Sequence, residues 1–209
     1  MSKPEILLIG AGGHARSCID VIEQHGHYRI AGLVGLAEQK LTQLFGYEVI
    51  ATDDELNELA KSYEYALITV GQVKNANLRL RLYQMSLKCG FKMPSIISPI
   101  SHVSQNATIG EGSIVMHGAI INAGAQVGIN CIINTRAVIE HDTSVGDHCH
   151  ISTGAILNGG VSVGTGCFIG SGSVMKEGVS TGKDCVIGMG LSVRHNLSDK
   201  ILFTGHLKS

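Results

Sequence analysis

The sequence predicts two parts of different build: an α/β domain with a parallel sheet over residues 1–95, then a β-solenoid of six-residue repeats over residues 96–198, with a tail at 199–209. Three observations predict this. Strand-like and helix-like runs alternate in the first part, the pattern of strands joined by helical crossovers. In the second, aliphatic residues recur every six positions without interruption. The chain of 209 residues also carries 27 glycines but only 3 prolines, with no triplet period, so it turns often and regularly.

EILLIG reads as a buried first strand. HARSCIDVIEQHG follows as a helix, with Ala15, Ile19 and Ile22 at helical spacing and Gly26 as its stop. RIAGLV and YEVIA are the expected second and third strands. Thr52 followed by Glu55 forms a capping box that opens a helix over TDDELNELAKS. YALITVG is another strand, and NANLRLRLYQMSLKCG a helix that ends at Gly90. From Ile97 the period becomes six. The first residue of each hexad, from Ile97 and Val103 to Ile187 and Val193, is aliphatic except at Thr181, and the fifth is mostly small, as at Ser113, Ala119 and Cys131. One aliphatic and one small inward residue per hexad suits short flat strands with tight corners.

Composition excludes several classes. Apolar residues make up 44% and charged ones 16%, against disorder. A net charge of −1 argues against nucleic acid or an anionic membrane as partner. MSKPEILLIG has too short an apolar run for a secretion signal, and no segment approaches a membrane span, so a cytoplasmic location is expected. In a reducing compartment the six cysteines are expected as buried thiols rather than disulfides.

Two motifs carry chemistry. Gly10-Ala-Gly12-Gly13-His14-Ala15 fits G-x-G-x-x-G/A at a strand end opening a helix, where glycines let the backbone approach a phosphate. A dehydrogenase also needs an acid ending the second strand, and Val34, Gly35 and Leu36 stand there, against a redox dinucleotide. A phosphate or nucleotide ligand and an unliganded tight turn both remain open. The second motif is EHDTSVGDHCH, residues 140–150. In its hexads His141 falls outward or at a corner and Cys149 inward, while His148 and His150 do not point inward. An acid beside His141, here Asp142, fixes an imidazole tautomer and raises its basicity. No histidine pair separated by four residues occurs in the repeat region, unlike the zinc-binding gamma-class carbonic anhydrases, and no metal is expected.

A short α/β domain opening IGAGGHA, followed by an uninterrupted hexapeptide run containing NTRAVIEHDTSVGDHCHIS, resembles the NeuD-type bacterial sugar acyltransferases. These include sialic acid O-acetyltransferases and the UDP-4-amino-sugar N-acetyltransferases of the bacillosamine pathway. The resemblance covers essentially the whole chain. It implies a Rossmann-like N-terminal domain with a parallel sheet, followed by a left-handed parallel β-helix of hexapeptide repeats, three to a coil. On that period Cys131, Cys149, Cys167 and Cys185 form one column. It further implies an acetyl-CoA-dependent transferase, a homotrimer with active sites between subunits. By position, His141 is the general base and Asp142 its orienting acid. His150 lies near the thioester, and Gly159, Ser171 and Met189 line the cofactor groove. Lys208, with Arg194 and Lys183, is a candidate for the CoA phosphates. Gly12, Gly13, His14 and Gly71 hold the sugar or nucleotide-sugar substrate.

Two departures stand out. The amino-sugar enzymes usually carry an acidic pair where this chain has Gly35-Leu36, and the C-terminal FTGHLKS keeps Gly205 and Lys208 without the family's proline. The expected acceptor is the 4-amino group of a nucleotide-linked sugar in surface-glycan synthesis, with the hydroxyl of a sialic acid-like sugar as the alternative. A non-catalytic trimeric scaffold with a ligand sensor, and a metal hydrolyase, are the competing readings.

Overall fold

The computed structural model describes residues 2–204; Gly205 and Lys208 therefore lie outside the described residues. The chain divides into two compact units, Met1–Gly71 with Asn77–Pro99, and Gln72–Ala76 with Ile100–Ser209.

The first unit is a five-stranded sheet flanked by helices. Strands β1 (Glu5–Ile9), β2 (Arg29–Gly35), β3 (Gln43–Leu44), β4 (Tyr47–Thr52) and β5 (Tyr65–Ile68) lie in the order β3-β4-β2-β1-β5. All pairs are parallel except the hairpin of β3 with β4. Ile6 to Ile9 and Ala66 to Ile68 are fully buried, as central parallel strands require. Helix α1 (Gly13–His25) buries Ala15, Cys18, Ile19 and Ile22 and stops at Gly26, whose φ of 73° suits a residue without a side chain. Helix α3 (Asn77–Cys89) stops at Gly90 in the same way, with φ 94°. Two features differ from the sequence expectation. The β3–β4 hairpin has no periodic signature. The TDDELNELAKS helix shrinks to a 3-10 turn over Asp53–Glu55 and the short α2 (Leu56–Leu59). Glu55 does reach back to the Thr52 amide at 2.9 Å, but of α2 only Leu56 is buried, so no apolar stripe extends the helix.

The second unit is a left-handed parallel β-helix of two-residue strands. Residues pair with those 18 positions on, as Ile121 with Ile139, Val127 with Val145 and Ile133 with Ile151, giving three sheets around one core. The first hexad position points inward: Ile121, Ile139, Leu157 and Met175 are fully buried, each worth about 1.5–3 kcal/mol. Thr181 is tolerated inside because its hydroxyl accepts the Gly164 amide at 3.2 Å.

The small fifth position does more than fill space. Cys131, Cys149 and Cys167 donate their thiols to the carbonyls of Gly146, Gly164 and Gly182, at 3.2, 3.1 and 3.1 Å. Ser113 opens this column and donates to Gly128 O at 2.8 Å. Corners are made at the fourth position. From Gly112 to Gly190 every sixth residue has φ between 53° and 77°, and Asn130, Arg136, Asp142, His148 and Asp184 take the place of glycine. A second column, Gly110, Gly128, Gly146, Gly164 and Gly182, lies where a Cβ would come within 2.2–2.7 Å of the next coil.

Candidate functional site

The glycine-rich turn closes the carboxyl ends of β1, β2 and β5, the place where open α/β sheets take ligands. Gly10 is demanded by the protein itself. Its φ is 121°, and a Cβ there would meet Val70 Cγ2 at 2.6 Å. Gly12 and Gly13 are not, since neither has a positive φ and a Cβ on either meets nothing within 4 Å. They leave open space at the start of α1, whose N-cap, Gly12, supplies no side-chain hydrogen bond to the first-turn amides.

A cleft of about 270 Å³ opens there. Gly12, Gly13, His14 and Gly71, the residues for which the family resemblance implies substrate contact, all line it. Leu36, Leu78 and Leu82 supply apolar wall, and Asp53 and Arg81 a polar edge. Gly35 is explained by Gln39, whose Oε1 accepts the Leu36 amide at 3.0 Å and whose Nε2 donates to Ala11 O at 3.4 Å. A Cβ on Gly35 would sit 2.9 Å from that Oε1 and 3.0 Å from Val49 Cγ1, so a side chain there would have to displace Gln39. Beneath the cleft, buried Arg79 donates to Ile68 O at 2.7 Å and Val70 O at 3.0 Å and so holds the end of β5. Sequence reasoning found neither Gln39 nor Arg79, because these contacts obey no spacing rule.

On the β-helix, His141 and Asp142 occupy the corner after the strand Val138–Ile139. Asp142 is the corner residue itself, with φ 59°, a conformation Asp tolerates. Its Oδ2 accepts the His141 Nδ1 proton at 3.0 Å, which leaves Nε2 as the acceptor. This hydrogen bond raises the His141 pKa above its ordinary value. Glycines make room on both sides. A Cβ on Gly159 would lie 2.6 Å from His141 Nε2, and one on Gly124 would lie 2.6 Å from Asp142 Oδ1. His141, Asp142 and Gly159 are therefore one assembly. Both side chains are mostly exposed, at 66% and 75%.

The remaining positions fall elsewhere. Ser171 and Met189 stand at a different corner, after the strands Phe168–Ile169 and Val186–Ile187. Ser171 Oγ shares a 2.8 Å hydrogen bond with Ser152, and Met189 is 80% exposed. His150 lies on that second sheet, 6% exposed. Its Nδ1 meets Gln72 O at 2.5 Å, and its Nε2 meets Asn134 Nδ2 at 3.0 Å. A carbonyl takes only a proton and an amide NH2 gives only one, so the ring is neutral with its proton on Nδ1. The structure thus joins His141, Asp142 and Gly159, and sets His150, Ser171 and Met189 apart from them on the same chain. Among the described residues no group of three or more His, Cys, Asp or Glu could hold a metal ion.

Residues 5–86 match the model of the PglD N-terminal domain, and residues 160–194 that of the hexapeptide repeat of succinyl-transferase. No curated protein matches. Among solved structures, the chain is similar to perosamine N-acetyltransferase from Caulobacter crescentus, solved as a histidine-to-asparagine mutant with CoA and GDP-perosamine. That match has 32% identity and a TM-score of 0.90, over 96% of this chain and 93% of that one. The same enzyme, PerB, with CoA and GDP-perosamine, matches at 33% identity and 0.89, over 96% and 94%. The acetyltransferase domain of PglB from Neisseria gonorrhoeae with acetyl coenzyme A matches at 30% and 0.87, over 96% and 95%. Fold order, repeat period and this whole-length similarity agree: the chain belongs to the NeuD-type family of hexapeptide-repeat sugar acyltransferases.

Proposed function

We propose that this protein is an acetyl-CoA-dependent acetyltransferase that acylates the amino group of a nucleotide-linked 4-amino sugar in glycan biosynthesis. The observation that carries the mechanism is the His141–Asp142 pair, with Nδ1 committed to the carboxylate and Nε2 open at a solvent-facing corner. His141 Nε2 takes a proton from the sugar amine as its nitrogen attacks the thioester carbonyl. The tetrahedral intermediate then collapses, the C–S bond breaks, and the imidazolium returns the proton to the departing CoA thiolate. Asp142 keeps the ring in the required tautomer and stabilises the imidazolium. The relatives' acetyl-CoA, CoA and GDP-perosamine complexes support the substrate classes.

The nucleotide-sugar is assigned to the cleft of Gly12, Gly13, His14 and Gly71, where helix N-terminal amides favour a diphosphate. CoA is assigned to Gly159, Ser171 and Met189, with Arg194 and Lys183 for its phosphates. Because Ser171 and Met189 occupy a different corner from His141, one chain alone does not complete the site. A homotrimer, with each site built from two copies, satisfies the arrangement. An apolar sheet face supports it: Ile120, Val138, Ile156 and Val174 point outward in one row, against Thr108, Gln126, Ser144, Ser162 and Ser180 on another. Both substrates are cytosolic metabolites, which favours a cytoplasmic enzyme; no helix among the described residues is long and apolar enough to cross a membrane.

A thiol-release assay with acetyl-CoA and a panel of nucleotide-linked 4-amino sugars and nonulosonates tests the proposal. Release with an amino-sugar acceptor, and an acetylated product by mass spectrometry, is expected. Release only with hydroxyl acceptors, or with none, refutes it.

A further inference from the structure

The cleft at the glycine-rich turn has a polar edge that the transfer chemistry does not use. Of its polar side chains, Thr69 is committed to Gly10 O at 2.6 Å, and Gln39 is bonded at both ends of its amide. Asp53 and Arg81 differ. Their only mutual contact is a long 3.5 Å approach of Oδ2 to Nη2, which leaves carboxylate lone pairs and guanidinium protons side by side at the cleft. Asp53 is partly withdrawn from water, with a side chain 31% exposed, and that desolvation raises its pKa despite the cation. Such a carboxylate gains from neutral N–H donors. Leu36, Leu78 and Leu82 line the same cleft and offer the apolar faces that a flat ring packs against.

We propose that Asp53 and Arg81 read the base of the nucleotide and select guanine. Guanine presents its O6 acceptor beside the N1–H and N2–H donors on one edge. A guanidinium adjoining a carboxylate is the complement of that edge, with Arg81 donating to O6 and Asp53 accepting from N1–H and N2–H. Uracil and thymine place their single N3–H between two carbonyls, so one carboxylate oxygen faces an acceptor. Adenine and cytosine pair one donor with a ring-nitrogen acceptor, again opposing one carboxylate oxygen. Guanine alone satisfies the whole pair. The inference rests on reading this cleft as the nucleotide-sugar site.

Isothermal titration of the full chain with GDP, UDP, dTDP, CDP and ADP tests it, since the diphosphate is common to all. GDP is expected to bind at least about tenfold tighter than any other. Asp53→Asn should weaken GDP by roughly tenfold to a hundredfold, the scale of hydrogen bonds to a charged group, and change UDP by less than about threefold. Arg81→Gln should again reduce GDP selectively, and gives the answer if Asp53→Asn alters the melting midpoint. UDP binding as tight as GDP, equal losses for all nucleotides, or no nucleotide binding would each overturn the proposal. The thiol-release assay keeps the two readings apart. Acetyl transfer without guanine preference sinks only the base assignment. Guanine preference without any acetyl transfer sinks only the activity.

Discussion

At the residue scale, the proposed base, His141, is an imidazole held from one side and cleared on the other. His141→Ala should lower kcat by about two to four orders of magnitude and leave the circular dichroism spectrum unchanged. Catalysis needs the neutral ring, and the hydrogen bond to Asp142 raises the His141 pKa. The rate should therefore rise with pH through an apparent pKa above that of an ordinary histidine and then level off. Asp142→Asn removes the largest cause of the shift. Its limb should move to lower pH while its plateau falls, and an unmoved limb in a pH–rate profile would exclude the pairing. Gly159→Ala tests the clearance. Its methyl group would lie 2.6 Å from Nε2, so the ring must swing away; turnover should drop with little change in melting midpoint. The His141–Asp142 pair was legible because the two adjoin in sequence. Gly159 was named only through the family resemblance, as a groove residue, and its place beside His141 follows from the coil of 18. Arg79 and Gln39 were not legible, since their partners are backbone carbonyls and amides that no side-chain pattern marks.

At the scale of elements, the repeat was legible because each coil copies the last, so a local period specifies distant pairing. What the period did not announce was the left-handed corner. Five non-glycine residues hold it, among them Asp142, and a search for glycine alone misses them. Gly154 has φ 65° and open space around its Cα, so substitution there meets backbone strain only. Gly154→Val should cost about 1–2 kcal/mol, and Gly154→Asn distinctly less, as Asn130 does in its own corner; denaturant midpoints check this. The cysteine column is equally specific. Cys149→Ala leaves the Gly164 carbonyl without its thiol donor and should cost about 1–3 kcal/mol. Cys149→Ser should cost less, because the Ser113 hydroxyl already fills this position, donating to Gly128 O and accepting from the Cys131 amide at 2.8 Å each. The first unit was harder to read where elements are short: a two-residue β3 carries too few residues to display any alternation.

For the whole molecule, the proposed site asks two corners of the β-helix, on different copies, to serve one reaction. If copies associate through the Ile120–Val174 face, Val138→Glu should turn the trimer into monomers in light scattering and abolish turnover, although His141 and its neighbours stay intact. Persistent trimers in that variant would move the interface to another face. The uninterrupted coil has one more consequence. In the β-helix each residue's height along the axis is its coil number times about 4.8 Å, while its compass direction depends only on its place within the 18. The β-helix is thus a graduated column. Deleting one complete coil between His141 and Met189 would lower the second mark by one graduation without rotating it. Descent could in this way fit the column to donors or acceptors of different reach, leaving the chemistry at each mark untouched.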